Sequence, residues 1–154
     1  MQMKDKLILL ILIMATFCAC SDNSKKQPIA ITTADSTFSE CYSFISDRDS
    51  ITLRLVFKDS LVTGNLDYNF FEKDKNTGVI EGKVKGDTII AEYTFMSEGM
   101  QSAREVAFLR KGNSMLEGFG GVEDINGKTI FKDRSVLVFD TANTLSRIDC
   151  NAFQ

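Results

Sequence analysis

Ile51-Thr52-Leu53-Arg54-Leu55-Val56-Phe57-Lys58-Asp59-Ser60-Leu61-Val62-Thr63-Gly64-Asn65-Leu66 is the stretch that decides the fold class. Ile51, Leu53, Leu55 and Phe57 fall on one face of an extended chain, and Thr52 and Arg54 on the other. Successive side chains of a strand point to opposite faces, so this period of two marks a half-buried strand. Lys58-Asp59-Ser60 then breaks the pattern before a second apolar run begins. A break this short leaves no room for a crossover helix, so the flanking strands should pair antiparallel.

Working outward, the same grammar recurs about every ten residues. Strand-like runs cover 38–46, 51–58, 61–71, 78–85, 88–96, 103–110, 115–123 and 129–139. Ile89, Ala91, Tyr93 and Phe95 repeat the alternation opposite Thr88, Glu92 and Thr94. The breaks carry turn chemistry; Gly86-Asp87 and Asn126-Gly127 supply residues that tolerate positive φ and read as hairpins. No segment has the length and 3.6-residue period of a good helix. The tail 141–149 reads as a short helix or a strap. Val62-Thr63-Gly64, Ile80-Glu81-Gly82 and Leu116-Glu117-Gly118 share a pattern of apolar residue, polar residue, glycine. Glycine inside a strand marks a bend, a bulge or a close backbone approach. Together these features predict an all-β domain, an eight-stranded antiparallel meander closed into a lipocalin-like barrel, with a β-sandwich as the alternative.

The N-terminus has a different character. Lys4 and Lys6 precede an apolar run from Leu7 to Phe17, and Phe17-Cys18-Ala19-Cys20 is followed by the polar Ser21-Asp22-Asn23-Ser24-Lys25-Lys26-Gln27. The run is well short of the ~20 residues that span a bilayer as a helix, and it reads as a signal sequence with a small residue before the cut. The arrangement resembles the signal of bacterial lipoproteins, in which the cysteine after the cut is acylated; Phe17 departs from the leucine usual there. That resemblance implies residues 1–19 as signal peptide, Cys20 as the lipidated N-terminus, and export to the cell envelope. Ser21 after Cys20 leans toward the outer membrane by resemblance to known sorting signals. The competing reading is an ordinary secretory signal with Cys20 a spare thiol. Residues 20–36, with Pro28, the one proline of the chain, read as a tether that could extend to ~50 Å. Residues 37–154 read as one domain and as a monomer.

Once Cys18 leaves with the signal and Cys20 is acylated, Cys41 and Cys150 remain, near the two ends of the domain. An even remainder in an exported protein suggests a disulfide; two buried free thiols are the alternative.

Composition restricts the chemistry. Loss of residues 1–19 removes Lys4, Lys6 and Asp5 and moves the formal charge from −3 to −4. A mildly acidic domain is a poor partner for nucleic acid, which calls for a basic patch. Histidine and tryptophan are both absent, which rules out a Ser-His-Asp or Cys-His centre and any His-ligated metal. Glu98 with Glu105, and Glu123 with Asp124, are carboxylate pairs whose spacing defines no glycosidase geometry. The aspartates Asp47, Asp49, Asp67 and Asp74 lack the EF-hand pattern. The expectation is therefore a non-enzymatic protein with no cofactor and no metal.

Two stretches stand out as candidate contact features. Met96 to Glu105 reads as a loop whose methionines either offer an adaptable apolar surface or cap the core. Tyr42-Ser43-Phe44, Tyr68-Asn69-Phe70 and Tyr93-Thr94-Phe95 each place a Tyr and a Phe on one strand face. With Arg104 they are candidate ligand-lining residues, the alternative being that they fill the core. The stretch from Glu81 to Phe95, with the signal and the late Cys150, resembles uncharacterised small bacterial lipoproteins, a likeness that brings no activity with it. The architecture is similar to lipocalin-like barrels, which carry small apolar ligands, although their Gly-x-Trp signature cannot be present without tryptophan. Two functions follow as expectations. One is a lipid-anchored envelope lipoprotein acting by contact with a protein or surface; the alternative is lipocalin-like binding of a small apolar ligand.

Overall fold

The computed structural model describes residues 36–152. Cys20, the signal peptide and nearly all of the expected tether lie outside the described residues. Within them the chain is an antiparallel meander with one added hairpin. Its first six strands are β1 (Thr37–Ile45), β2 (Ser50–Lys58), β3 (Leu61–Asn69), β4 (Asn76–Lys85), β5 (Thr88–Ser97) and β6 (Met100–Lys111). There follow β7 (Ser114–Phe119), β8 (Val122–Ile125), β9 (Lys128–Phe131), β10 (Val138–Phe139) and β11 (Leu145–Ile148). Short 3-10 turns occupy Arg134–Val136 and Cys150–Ala152.

Each strand from β1 to β6 pairs with the next, and β11 bridges β7 to β1. The result is a closed ring of eight strands: β1 to β7 and β11. Followed one way from Ser43, the register runs through Thr52, Asp67, Thr77 and Met96 to Gln101. Followed the other way, it runs through Ser146 and Ser114 to Lys111. The two paths reach β6 ten residues apart, from Gln101 to Lys111, the stagger that closing a sheet of tilted strands requires.

The alternation of Ile51, Leu53, Leu55 and Phe57 is realised: all four are buried and share a core with Tyr42, Leu66, Ile80, Ile89, Phe108 and Leu145. Burial of one such aliphatic side chain contributes about 1.5–3 kcal/mol. The close strand approach is set by glycine. A Cβ on Gly64 would overlap the Arg54 carbonyl oxygen, and one on Gly82 would overlap that of Ile90. Gly118, third in the repeat, differs: its missing side chain makes room for the Phe139 ring, 2.8 Å from the Cβ position.

Four details depart from the sequence-based expectation. The run 115–123 is broken at Gly120-Gly121, where β7 ends and β8 begins. The run 129–139 is likewise two short strands separated by a 3-10 turn. The eighth strand of the ring is therefore β11, inside the expected strap, which also holds the Cys150 end of the chain against β1. Finally, Met96 to Glu105 is no loop: β5 and β6 continue to a two-residue turn in which Glu98 and Gly99 both have positive φ, 49° and 77°. That geometry matches the twist of a hairpin. Asn126-Gly127 turns β8 into β9 in the same way, with φ of 53° and 78°.

Cys41 and Cys150 form a disulfide with Cα atoms 5.1 Å apart, closing a loop of sequence separation 109.

Candidate functional site

Alternation sends a few charged side chains into the ring along with the apolar ones, and each has to find a partner there. Two such groups form. The first lies toward the start of β1. Glu40 shares the inward face with Tyr42 and is buried. It accepts the Tyr42 hydroxyl at 2.8 Å on Oε2, with Arg110 Nη2 3.2 Å from the same oxygen and Arg147 Nη2 3.3 Å from Oε1. The Arg110 guanidinium lies 4.8 Å from the Phe57 ring centre, and Phe57 stacks on Phe38 at 4.8 Å. Burial, then the hydrogen bond to Glu40 and its negative charge, push the Tyr42 phenol up to about 12.

The second group joins β3, β5, β6 and β7. Tyr68 donates its hydroxyl to Glu117 Oε1 at 2.6 Å, and Tyr93 donates to the Leu66 carbonyl at 2.8 Å. Tyr68 and Tyr93 meet edge to face with ring centres 5.9 Å apart, and Phe95 stacks on Tyr93 at 4.7 Å. Arg104 lies over three of these rings, 5.2 Å from Tyr68, 5.6 Å from Tyr93 and 5.5 Å from Phe95. Such cation–π placement gives a desolvated guanidinium electrostatic company but no hydrogen-bond acceptor of the usual kind. Burial raises the Glu117 carboxyl above the ordinary range, opposed by the Tyr68 hydrogen bond and the Arg104 charge and reinforced by Asp140. Burial likewise raises both phenols.

The sequence-derived lining set is thus divided. Tyr68, Phe70, Tyr93, Phe95 and Arg104 come together, with Phe70 5.8 Å from Tyr68. Tyr42 belongs to the Glu40 group instead. Phe44, Phe70 and Phe95 are half-buried and pack against the core. All three tyrosine hydroxyls are spent on internal acceptors. The carboxylate pairs separate into structural roles. Glu105 clamps Arg134 through bonds of 3.1 and 2.7 Å and also accepts the Phe131 N–H, while Asp124 accepts Thr129 Oγ1 at 2.6 Å. Asp49 accepts the Phe71 N–H at 2.8 Å.

Glu40, Glu117, Arg110 and Arg147 were not singled out from the sequence. A signal existed for the acids: Glu40 has the same parity as Phe38, Tyr42 and Phe44, and Glu117 the same parity as Met115 and Phe119. A charge at an inward position of an alternating strand implies a buried partner.

Near this second group the ring has an opening. β6 pairs with β7 over Ala107–Lys111, but at Ala103 and Arg104 its neighbour is β9, running parallel. Where β7 diverges, a pocket of about 210 Å³ forms between β6, β7 and the β8–β9 hairpin, and both Arg104 and Glu117 line it. No protein-family model matches the chain, no curated protein matches it, and no solved structure matches it.

Proposed function

We propose that the chain is a lipid-anchored cell-envelope protein that works by contact with another envelope component rather than by catalysis. The observation that carries this reading is the exposure of apolar side chains on the turns at one end of the ring. The β1–β2, β3–β4 and β5–β6 turns share that end, and there Ile45 and Met100 are 75% and 73% exposed. Phe71, under the Arg48 guanidinium, and Met96 are also exposed at the ends of these strands. Large apolar side chains left in solvent on hairpin turns offer a contact surface, and methionine adapts to an irregular partner. Thr37, where β1 begins, lies at the opposite end, paired with Lys58. A tether acylated at Cys20 therefore leads to one end of the ring and leaves the apolar hairpins at the other. The buried core, with Tyr42, Tyr68, Tyr93 and Phe108 in it, supports contact over carriage of an apolar molecule inside the ring, since such a ligand would have to displace that packing.

Two arms test this. Cys20→Ser should abolish incorporation of labelled palmitate and release the chain from the membrane fraction; retention of label would sink the anchor. A photo-crosslinking residue at position 100 should give a discrete adduct in intact cells, lost when Ile45→Glu is added. An adduct equally strong from Asn65, on the outer sheet face, would sink the contact reading.

A further inference from the structure

The pocket beside β7 contains an unpartnered donor. Arg104 Nε is buried with no hydrogen-bond partner. The described ion pairs join Glu40 to Arg110 and Arg147, Glu92 to Lys128, and Glu105 to Arg134, and Arg104 is in none of them. A guanidinium carries five donors, and leaving a buried donor unmade costs free energy, more so for a charged group. The rings of Tyr68, Tyr93 and Phe95 hold the guanidinium in place without accepting its hydrogens in the ordinary way. Two carboxylates also line the pocket, and each has its own partners: Glu105 is held by Arg134 and the Phe131 N–H, and Glu117 accepts the Tyr68 hydroxyl. The remaining walls are mostly apolar: Val106 and Phe131 are buried, while Phe119 and Val122 are half exposed at the rim.

We propose that this pocket binds a small monocarboxylate, its carboxylate held bidentate on the Arg104 fork and its short apolar body against Val106, Phe119, Val122 and Phe131. The planar guanidinium matches a planar carboxylate in two parallel hydrogen bonds. A single cation between two acidic side chains, Glu105 and Glu117, suits a monoanion better than a phosphate dianion. Size limits the class further. About 210 Å³ equals roughly seven waters at ~30 Å³ each, below the ~300 Å³ at which pockets for drug-sized ligands begin. Short aliphatic and single-ring aromatic acids fit; long-chain fatty acids do not. This site lies beside the ring, not at the apolar hairpin end, and does not depend on the contact reading.

The test uses the full chain, nitrogen-15 labelled, in detergent micelles and titrated with acetate, butyrate, benzoate and the neutral benzamide. Benzoate and butyrate should shift the Arg104 Nε–H resonance and the Gly118 and Gly120 amides saturably, and benzamide should not. Arg104→Gln should remove the effect. Because that variant can also disturb folding, Val122→Asp is the second arm: it sets a carboxylate on a half-exposed wall and should weaken benzoate about tenfold or more by like-charge repulsion, with the thermal midpoint unchanged. The proposal is overturned if no carboxylate gives a saturable shift, if benzamide binds as well as benzoate, or if Val122→Asp leaves benzoate affinity unaltered.

Discussion

Tyr68 and Glu117, 49 positions apart in sequence, meet across the interior with the tyrosine hydroxyl 2.6 Å from Oε1. The bond ties β3 to β7 and gives a buried carboxyl one of its acceptor contacts. It does not fully offset desolvation, since the Glu117 carboxyl remains raised above its ordinary value of 4.5. A raised carboxyl holds its proton more tightly in the fold than in the unfolded chain. Its contribution to stability is then full below the unfolded value and is lost as pH rises through the folded one. Glu117→Gln keeps an acceptor for Tyr68 and never ionises. The variant should be more stable than the parent at neutral pH, with the difference closing below about pH 4.5. Urea midpoints measured across that range decide it; a variant less stable at neutral pH would mean that the charged form is the one the fold favours.

The tyrosines give a second pH signature in the alkaline range. The chain has three, Tyr42, Tyr68 and Tyr93. All three are buried donors, and burial raises each phenol, Tyr42 to about 12. Unfolded phenols ionise near 10. The folded chain therefore keeps protons that the unfolded chain gives up, and stability falls as pH rises from about 10 through 12. Phenolate absorbance should stay near zero until the protein unfolds and then rise in one cooperative step that coincides with loss of the β signal in circular dichroism. A gradual rise centred near pH 10 with the fold intact would show that at least one hydroxyl is free.

What was legible in the sequence was whatever depends on neighbours along the chain. Ile51 to Phe57 announced their face by alternation, and Gly86-Asp87 and Asn126-Gly127 announced their turns by tolerating positive φ. These are local constraints, so β1 to β6 were readable nearly to their ends. The turn at Glu98-Gly99 and the breaks inside 115–123 and 129–139 were local features missed; the rest turn on which strand lies alongside, which alternation does not record. β6 exchanges β7 for β9 at Arg104, and β11 closes the ring with only two pairs to β7, Leu145 with Met115 and Ser146 with Ser114. The aromatic cluster was half readable for the same reason. Tyr and Phe two apart must share a face, but whether Tyr42 joins Tyr68 or Glu40 depends on register and rotamer. Arg104 was named from its chain neighbours; its lack of an acceptor became visible only when β7 and β9 were in place around it.

The closure by β11 makes the disulfide more than a link between chain ends. Two pairs to β7 and three to β1 are a thin seam, and the Cys41–Cys150 bridge lies directly at its β1 side. Cross-linking a loop of 109 residues restricts the unfolded chain by about 4–5 kcal/mol in the loop-entropy treatment. Replacing both cysteines by serine should lower unfolding free energy by an amount of that order. Hydrogen exchange should also accelerate first at Ser146 and Ser43, the paired residues of the seam, before the β2–β5 core opens. Uniform acceleration across all strands would show that the seam is no weaker than the rest.

Gly82 and Gly121 separate two uses of glycine that sequence alone does not distinguish. At Gly82 a methyl group would meet the Ile90 carbonyl oxygen, with the Ala91 Cα at 2.5 Å and the Ala91 Cβ at 2.6 Å. Two of those three atoms are backbone of the paired strand β5 and cannot swing aside, so β4 and β5 would have to part. At Gly121 the nearest atom is the Cδ of Lys132 at 3.9 Å, ordinary contact with a flexible side chain. Gly82→Ala should therefore cost about 1–3 kcal/mol, the usual range for overpacking, despite the entropy that alanine removes from the unfolded chain. Gly121→Ala should stay within about 0.5 kcal/mol of the parent. Paired urea titrations measure the difference directly. Equal effects at the two positions would mean that β4 and β5 have slack at Gly82, and that the close approach is not what keeps glycine there.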